Sequence, residues 1–341
     1  MIHELQQNMN RGLADGRILL SILSVLVVCW GILGWMDLPF QSRAGFETNG
    51  YNIVTRVDAG SPAEAAGLEP GVRITHFDGI PVEDAATLAR RSHKKVGERQ
   101  LITAEHSGKS RDFRIAYGPI SQHEISLSHA KTIVGFCFLL FPLIAVWRNN
   151  REATRLLTLM GIGLSLAFMT GPYAAEFSIR AFSLAVISLF VTLGVAALLH
   201  FLLVFPHRRL WLNRPFGKKL IYLPAFILWL LIAWRLLFTP AASSALSLLT
   251  NAMTGIITGV YLLFSLFLVL RNYSLTDRTQ RRKLRLNRML LGTVLAIVPV
   301  TIAQLVFAFS PHSGLPGQNY YFVTLALIPL TWACSAGLSP K

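Results

Sequence analysis

Eight apolar runs, each close to the length that crosses a bilayer, leave this 341-residue chain few possible folds. They are Ile18 to Met36, Thr132 to Trp147, Leu156 to Tyr173, Phe182 to Phe205, Ile221 to Phe238, Ala252 to Leu270, Met289 to Phe309 and Tyr321 to Leu338. A helix of roughly 20 residues at about 1.5 Å each spans a hydrocarbon core of about 30 Å. A helix also satisfies its own backbone hydrogen bonds, which lipid demands. The expected fold class is a multispanning α-helical membrane protein with about eight transmembrane helices. A content of 53% hydrophobic and 14% charged residues, with a mean hydropathy of +0.50, agrees with that class. One stretch, Gly45 to Gly118, is polar enough to fold in water, and it lies between the first and second runs.

Charge excludes one class of partner and sets an orientation. The chain has 32 Lys and Arg against 17 Asp and Glu, for a net +15. Between Asp37 and Lys131 acids and bases balance, so the whole excess sits at the ends of apolar runs. No basic groove with interleaved aromatics exists, and no nucleic acid is expected as a partner. Alternate linkers are basic: Arg148, Arg151 and Arg155, then Arg208 to Lys219, then Arg271 to Arg288, with only Arg180 and Arg235 between them. With Arg11 and Arg17 ahead of the first run, the positive-inside rule puts residues 1–17 and 339–341 in the cytoplasm and the polar island outside. The first run could also be read as a signal peptide ending near Ser42-Arg43-Ala44. It exceeds the usual signal core of about 7–15 residues, which favours an anchor over residues 18–36. Cys29, Cys137 and Cys334 all fall in apolar runs without Cys-x-x-Cys spacing, so no metal or cofactor is expected of them.

Within the island, Tyr51 to Val57 reads as a strand and Asp58-Ala59-Gly60 as a turn. Ser61-Pro62-Ala63-Glu64 carries helix-start signals: an N-cap serine, a proline at the first helical position and a glutamate at the capping-box position. Gly67 ends that helix. Val72 to Phe77 reads as a strand, Asp78-Gly79 as a tight turn and Ile80 to Val82 as a short strand. Asp84 to Lys95 reads as a helix, followed by hairpin strands at Gln100 to Glu105 and Arg111 to Tyr117. Phe113, Ile115 and Tyr117 alternate with polar or small neighbours, the period of a half-buried strand.

The run Gly60 to Val82, GSPAEAAGLEPGVRITHFDGIPV, resembles the central signature of bacterial PDZ domains, departing from it at Val72, where aspartate is usual. The resemblance implies an α+β PDZ-like domain over residues 44–118. It also implies an extended peptide or protein C-terminus as ligand, added as a strand, with its carboxylate held by backbone N–H groups of a glycine loop. In this chain the similar loop is Arg43-Ala44-Gly45-Phe46. Phe46 would line the pocket for the last side chain, and Leu88 would face it from the helix Asp84 to Lys95. The alternative is that Arg43 to Phe46 only links the first span to the domain.

PDZ-like domains beside membrane helices invite a protease reading, which needs His-Glu-x-x-His on a helix. His3-Glu4 is followed by Gln7, and His123-Glu124 by Leu127. No Gly-x-Ser-x-Gly or Walker-type loop occurs, so no enzyme activity is expected. Intramembrane polar residues are costly and count as candidates: His200, Arg235 and Gln304. The plainer roles are an interhelical hydrogen bond for His200 and snorkelling for Arg235. Small residues recur every four positions at Gly163, Ala167 and Gly171, and at Gly255 and Gly259, spacing that suits close helix packing. The basic stretch Arg278 to Arg288 suits anionic membrane lipids.

Leu199 to Pro206 (LHFLLVFP), Arg281-Arg282-Lys283-Leu284-Arg285 with Val298-Pro299, and Leu327-Ile328-Pro329-Leu330 resemble the multispan sensory regions of bacterial membrane histidine kinases of the competence and quorum-sensing type. That resemblance implies signal reception in a bacterial inner membrane by a seven-helix bundle over residues 132–338. The resembling kinases continue into a cytosolic ATP-binding region, and this sequence ends at Lys341 without one. Output is therefore expected through a partner such as a histidine kinase. The competing expectation is a membrane scaffold or envelope quality-control adaptor without signalling output.

Overall fold

In the computed structural model, which describes residues 16–48, 52–82, 94–106, 108–174, 176–214, 216–238, 244–309 and 318–337, each apolar run contains helix. The first gives α1 (Arg17–Asp37), followed by a 3-10 turn, Leu38–Phe40. Val25, Leu26, Leu33 and Met36 are exposed on it, so its apolar surface is not consumed by protein contacts. Among the described residues six helices are long and apolar enough to cross a membrane, by length and composition. Helices hydrophobic on all faces belong in lipid.

The polar island folds between α1 and the next long helix. Strand β1 (Ser42–Arg43) leads to β2 (Phe46–Thr48), which pairs with β3 (Val54–Val57). A single turn of helix, α2 (Pro62–Ala65), follows. Ser61 Oγ accepts the Glu64 amide at 3.3 Å as expected, but the Glu64 carboxylate accepts from Gly60 N–H at 2.6 Å rather than from Ser61 N–H. Strands β4 (Arg73–Phe77), β5 (Ile80–Pro81), β6 (Arg99–His106) and β7 (Lys109–Ala116) form an antiparallel sheet in the order β5-β4-β6-β7. Asp78 and Gly79 have φ of 51° and 76°, the left-handed pair that a two-residue hairpin turn requires. Phe113 and Ile115 point into a core with Ile74, Phe77 and Ile102, while Asp112 and Arg114 face outward. Tyr51 and most of the expected helix Asp84 to Lys95, Leu88 included, lie outside the described residues.

Strand β8 (Gly118–Pro119) returns to pair with β1, and α3 (Gln122–Arg148) starts three residues later. The helix begins well before Thr132, where the apolar run begins, because Ser121 and Glu124 form a full capping box. The bundle continues with α4 (Glu152–Phe168), α5 (Phe177–Val204), α6 (Gly217–Phe238), α7 (Ser244–Leu275), the short α8 (Arg278–Lys283), α9 (Leu286–Phe309) and α10 (Leu327–Gly337), the last preceded by a 3-10 stretch, Gln318–Ala326.

Helix approach is set by glycine and freed carbonyls. Pro142 in α3 has no N–H for the Phe138 carbonyl, and that oxygen lies against Gly161 of α4, 2.2 Å from where a Cβ would stand. Gly163 meets the Phe190 carbonyl and Gly194 of α5, with a Cβ 2.2 Å from that oxygen. The expected seam through Gly171 differs. Helix α4 ends at Phe168, since Pro172 disfavours helical backbone before it, and Gly171 instead makes room for the Trp30 indole of α1. Gly255 and Gly259 on α7 have nothing within 4 Å of an added Cβ, so they close no contact among the described residues. Gly163→Leu is expected to lower the stability of the purified protein by at least about 2 kcal/mol, because backbone atoms cannot yield as side chains do. Gly255→Leu should leave it unchanged, and thermal unfolding of both variants in detergent checks the pair.

Candidate functional site

The segment Arg43 to Phe46 is built into the domain by its carbonyl groups. The Ala44 carbonyl accepts from the Ala63 amide at 2.9 Å, and the Gly45 carbonyl accepts from the Asp58 amide at 2.9 Å and from Ser61 Oγ at 3.2 Å. Gly45 has φ of 84°, and a Cβ there would stand 2.1 Å from that of Ser61, so no other residue fits. Ala44 is buried in the domain core, and Phe46 is half-buried against it at the start of β2.

Arg43 has a second attachment. Its guanidinium lies 3.1 Å from Asp58 and 3.7 Å from Glu47, and it ion-pairs with Glu124 in the first turn of α3. The backbone of the same residue pairs with Gly118 in the β1–β8 ladder. Asp58 also accepts two bonds from Arg56, at 2.6 and 2.8 Å, and that hydrogen bonding holds Arg56 above its ordinary pKa. The result is a cleft of about 270 Å³ between the domain and α3, bordered by Arg43, Gly45, Arg56, Asp58, Ser61 and Glu124. Glu124 was visible in sequence only as half of a failed zinc motif. Its capping role was readable from Ser121-x-x-Glu124, whereas its pairing with Arg43 spans too much sequence to be read.

Lys94 links β1 to the β4–β5 turn. Its carbonyl accepts from Ser42 Oγ, and its ammonium lies 3.3 Å from Asp78. Asp78 also accepts the Leu101 amide at 3.0 Å and the Gln100 side chain at 3.2 Å, and the buried Gln100 accepts from Tyr117 Oη at 2.7 Å. This network ties the end of the expected facing helix both to the sheet and to the strand that enters the loop.

The intramembrane candidates do not converge on this site. His200 is buried in α5, with Nδ1 3.1 Å from Tyr222 Oη and Nε2 4.0 Å from Glu152, whose carboxylate takes Arg208 at 2.6 Å and Lys218 at 3.0 Å. The run Leu199 to Pro206 is the end of α5, where the buried Asn272 of α7 donates to the carbonyls of Leu202 at 2.8 Å and Phe205 at 3.0 Å. Phe201 stacks between Phe205 and Trp332. Arg235 donates to Asn251 at 3.3 Å. Gln304 falls on the backbone of α9, and its side chain lies outside what the structure describes. Among the described residues no group of three His, Cys, Asp or Glu side chains could hold a metal.

Comparison with known proteins bears on the domain alone. Residues 53–98 match the PDZ domain family. This chain carries a PDZ domain. The match starts at the foot of β3, so Arg43 to Phe46 precede it. A protein of Neisseria meningitidis serogroup A that carries the name of a zinc metalloprotease is 30% identical over 97 residues, 28% of this chain and 20% of its own length. A Rhizobium meliloti protein named as a DegP-like periplasmic serine endoprotease is 33% identical over 96 residues, 26% of this chain and 19% of its own. The chain thus spans about a fifth of the length of the curated relatives it matches. No solved structure matches it.

Asp78 gives the PDZ domain a pH dependence with a definite sign. Burial pushes its carboxyl up, but bonds from the Leu101 amide, Gln100 and Lys94, with the charge of Lys94, outweigh burial and hold it below the ordinary 3.8. The stability it contributes is complete above the unfolded carboxylate range and is lost as pH falls through the lower folded value. Protection of the Leu101 amide from hydrogen exchange, scaled to its intrinsic rate, should therefore drop on acidification. In Asp78→Asn that drop should be smaller and the protection near neutral pH lower.

Proposed function

We propose that this chain is a membrane receptor module: its PDZ domain captures a peptide or protein C-terminus outside an inner membrane, and its helices, about eight in number, pass the event to a partner. Capture follows from strand addition along the side of β2 away from β3. The ligand backbone pairs with Phe46 to Thr48, and its carboxylate meets the amides of Arg43 to Phe46. The carbonyl groups of Ala44 and Gly45 face the Asp58–Ala63 turn, which leaves the N–H side of the loop for the ligand. Phe46, with Leu88 from the facing segment, lines the pocket for the last side chain.

The observation that carries the receptor reading is the double role of Arg43. It begins the capture loop, and its side chain is clamped to Glu124 at the head of α3. A ligand that reorders the loop therefore acts on a group bonded to a membrane helix. A partner, a histidine kinase by the likeness of the later helices to kinase sensory regions, supplies the output, and the chain itself is read as having no catalytic activity. The second reading is a scaffold or envelope quality-control adaptor. It draws on the names of the two relatives, both proteases, and needs the same groove without relay through α3.

Full-length protein in detergent should bind labelled peptides with free C-termini, measured by fluorescence anisotropy. Amidating the terminus should weaken binding about tenfold or more, as expected for hydrogen bonds to a charged group worth roughly 1.5–3 kcal/mol. Equal binding of the acid and the amide would remove the carboxylate loop from the account. Crosslinking in cells separates the two readings, since a dominant kinase partner supports the receptor and a spread of envelope proteins supports the adaptor.

A further inference from the structure

A groove of about 350 Å³ runs between α3 and α10 at the end of the bundle where the basic linkers lie. On α3 it is lined by Phe141, Ile144 and Arg148, and on α10 by Leu330 and Cys334, with Arg285 closing its end from the joint before α9. The three α3 residues are spaced i, i+3 and i+7, one face of a helix. The groove therefore follows the helix axes for about 10 Å at 1.5 Å per residue. Its walls are apolar and only partly covered: Ile144 is 45% exposed and Leu330 is 36% exposed.

Two cations, Arg148 and Arg285, line this apolar channel. Among the described residues neither the Arg148 nor the Arg285 guanidinium has a hydrogen-bond, ion-pair or ring partner. Among the described residues Arg278, Arg282 and Lys283 of α8 also have no such partner, but they do not line the groove; several others at this end are engaged. Arg208 and Lys218 share Glu152, Arg209 donates to Asn272, and Arg281 lies over Tyr273 while donating to the Thr276 and Ser274 carbonyls. Arg285 is also fixed in place, since its carbonyl accepts from Ser335 Oγ at 3.3 Å and from the Met289 amide at 3.2 Å.

We infer that this groove is a binding site for one anionic phospholipid, with its phosphate between Arg148 and Arg285 and an acyl chain along Phe141, Ile144 and Leu330. Charge and shape both select that occupant. Two guanidiniums suit phosphate oxygens. An apolar channel parallel to the helices suits a chain that lies along them, and a soluble anion would leave it empty. The site differs from general attraction of basic loops to anionic lipid, because it names two arginines on separate elements and excludes the equally basic α8.

The test uses the full chain in nanodiscs of phosphatidylglycerol and phosphatidylcholine, with tightly held lipid counted by native mass spectrometry after release into detergent. Phosphatidylglycerol should be retained over phosphatidylcholine. Arg148→Gln and Arg285→Gln should each reduce retention about fivefold, from the ~1 kcal/mol that one base contributes near a lipid surface. Arg278→Gln with Arg282→Gln, on α8 and away from the groove, should leave retention unchanged. Equal loss in that control pair overturns the site in favour of diffuse attraction, and displacement of the lipid by millimolar inorganic phosphate overturns a lipid occupant. If the groove variants melt early, the unaltered protein decides the matter: equal retention of the two lipids refutes the inference.

Discussion

Two residues of backbone pairing on each side, Ser42 with Pro119 and Arg43 with Gly118, close the water-exposed domain where its chain leaves α1 and enters α3. A ladder this short is weak by itself, so neighbouring contacts decide whether the domain is held or swings. At α1, Asp37 accepts from the Gln41 side chain at 3.1 Å and from the Tyr173 amide at 2.9 Å, and Trp35 stacks on His129 of α3 at 4.3 Å. At α3 the capping box fixes the first turn, and Glu124, already part of that box, also holds Arg43. The domain is therefore anchored on both of its connections rather than tethered.

The bundle beneath it depends on a different constraint. Between apolar helices in lipid there is no hydrophobic drive to associate, so close approach and hydrogen bonding must supply the contact. Gly161 and Gly163 give α4 backbone-distance contact with α3 and α5, and Thr158 adds a hydroxyl bond to the Pro142 carbonyl at 3.0 Å. At the other end, polar side chains replace water for carbonyls that helix termini leave open. Asn272 takes those of α5, and separately Tyr261 Oη, from the middle of α7, adds a bond to the Ile221 carbonyl near the start of α6. The Asn272 bonds sit where α5 ends, so the bundle is fastened in its middle by glycine and at its basic end by a side-chain cap.

Much of this was legible because its signals are local. Apolar run length gives the helices, Asp78-Gly79 gives the hairpin turn, Ser61-Pro62 gives the helix start, and the alternation at Phe113 and Ile115 gives the buried face of β7. What could not be read involves partners distant in the chain or elements too short to have a period. Strands β1 and β8 have two residues each, too few for alternation. The place of Gly171 against Trp30, rather than in the α4 seam, follows from Pro172 ending the helix, a local signal that competes with the four-residue spacing. Arg43 could be placed on a loop from its neighbours, but its acids, Asp58 and Glu124, are chosen by the fold.

The clamp at Arg43 also constrains how the two halves can influence one another. Binding free energies are reciprocal: if a bound carboxylate changes how strongly Arg43 holds Glu124, then holding Glu124 changes affinity for the carboxylate by the same factor. Arg43 is about one-third exposed, with side-chain exposure of 31%, and it shares its charge among Glu47, Asp58 and Glu124, so losing one acid does not leave it unpaired. That sharing keeps the cost of exchanging partners small, in contrast to a buried pair, whose rupture strands a charge. A low-cost exchange suits a reversible link between ligand and helix, and it limits the coupling to the modest range that a solvent-screened ion pair supplies.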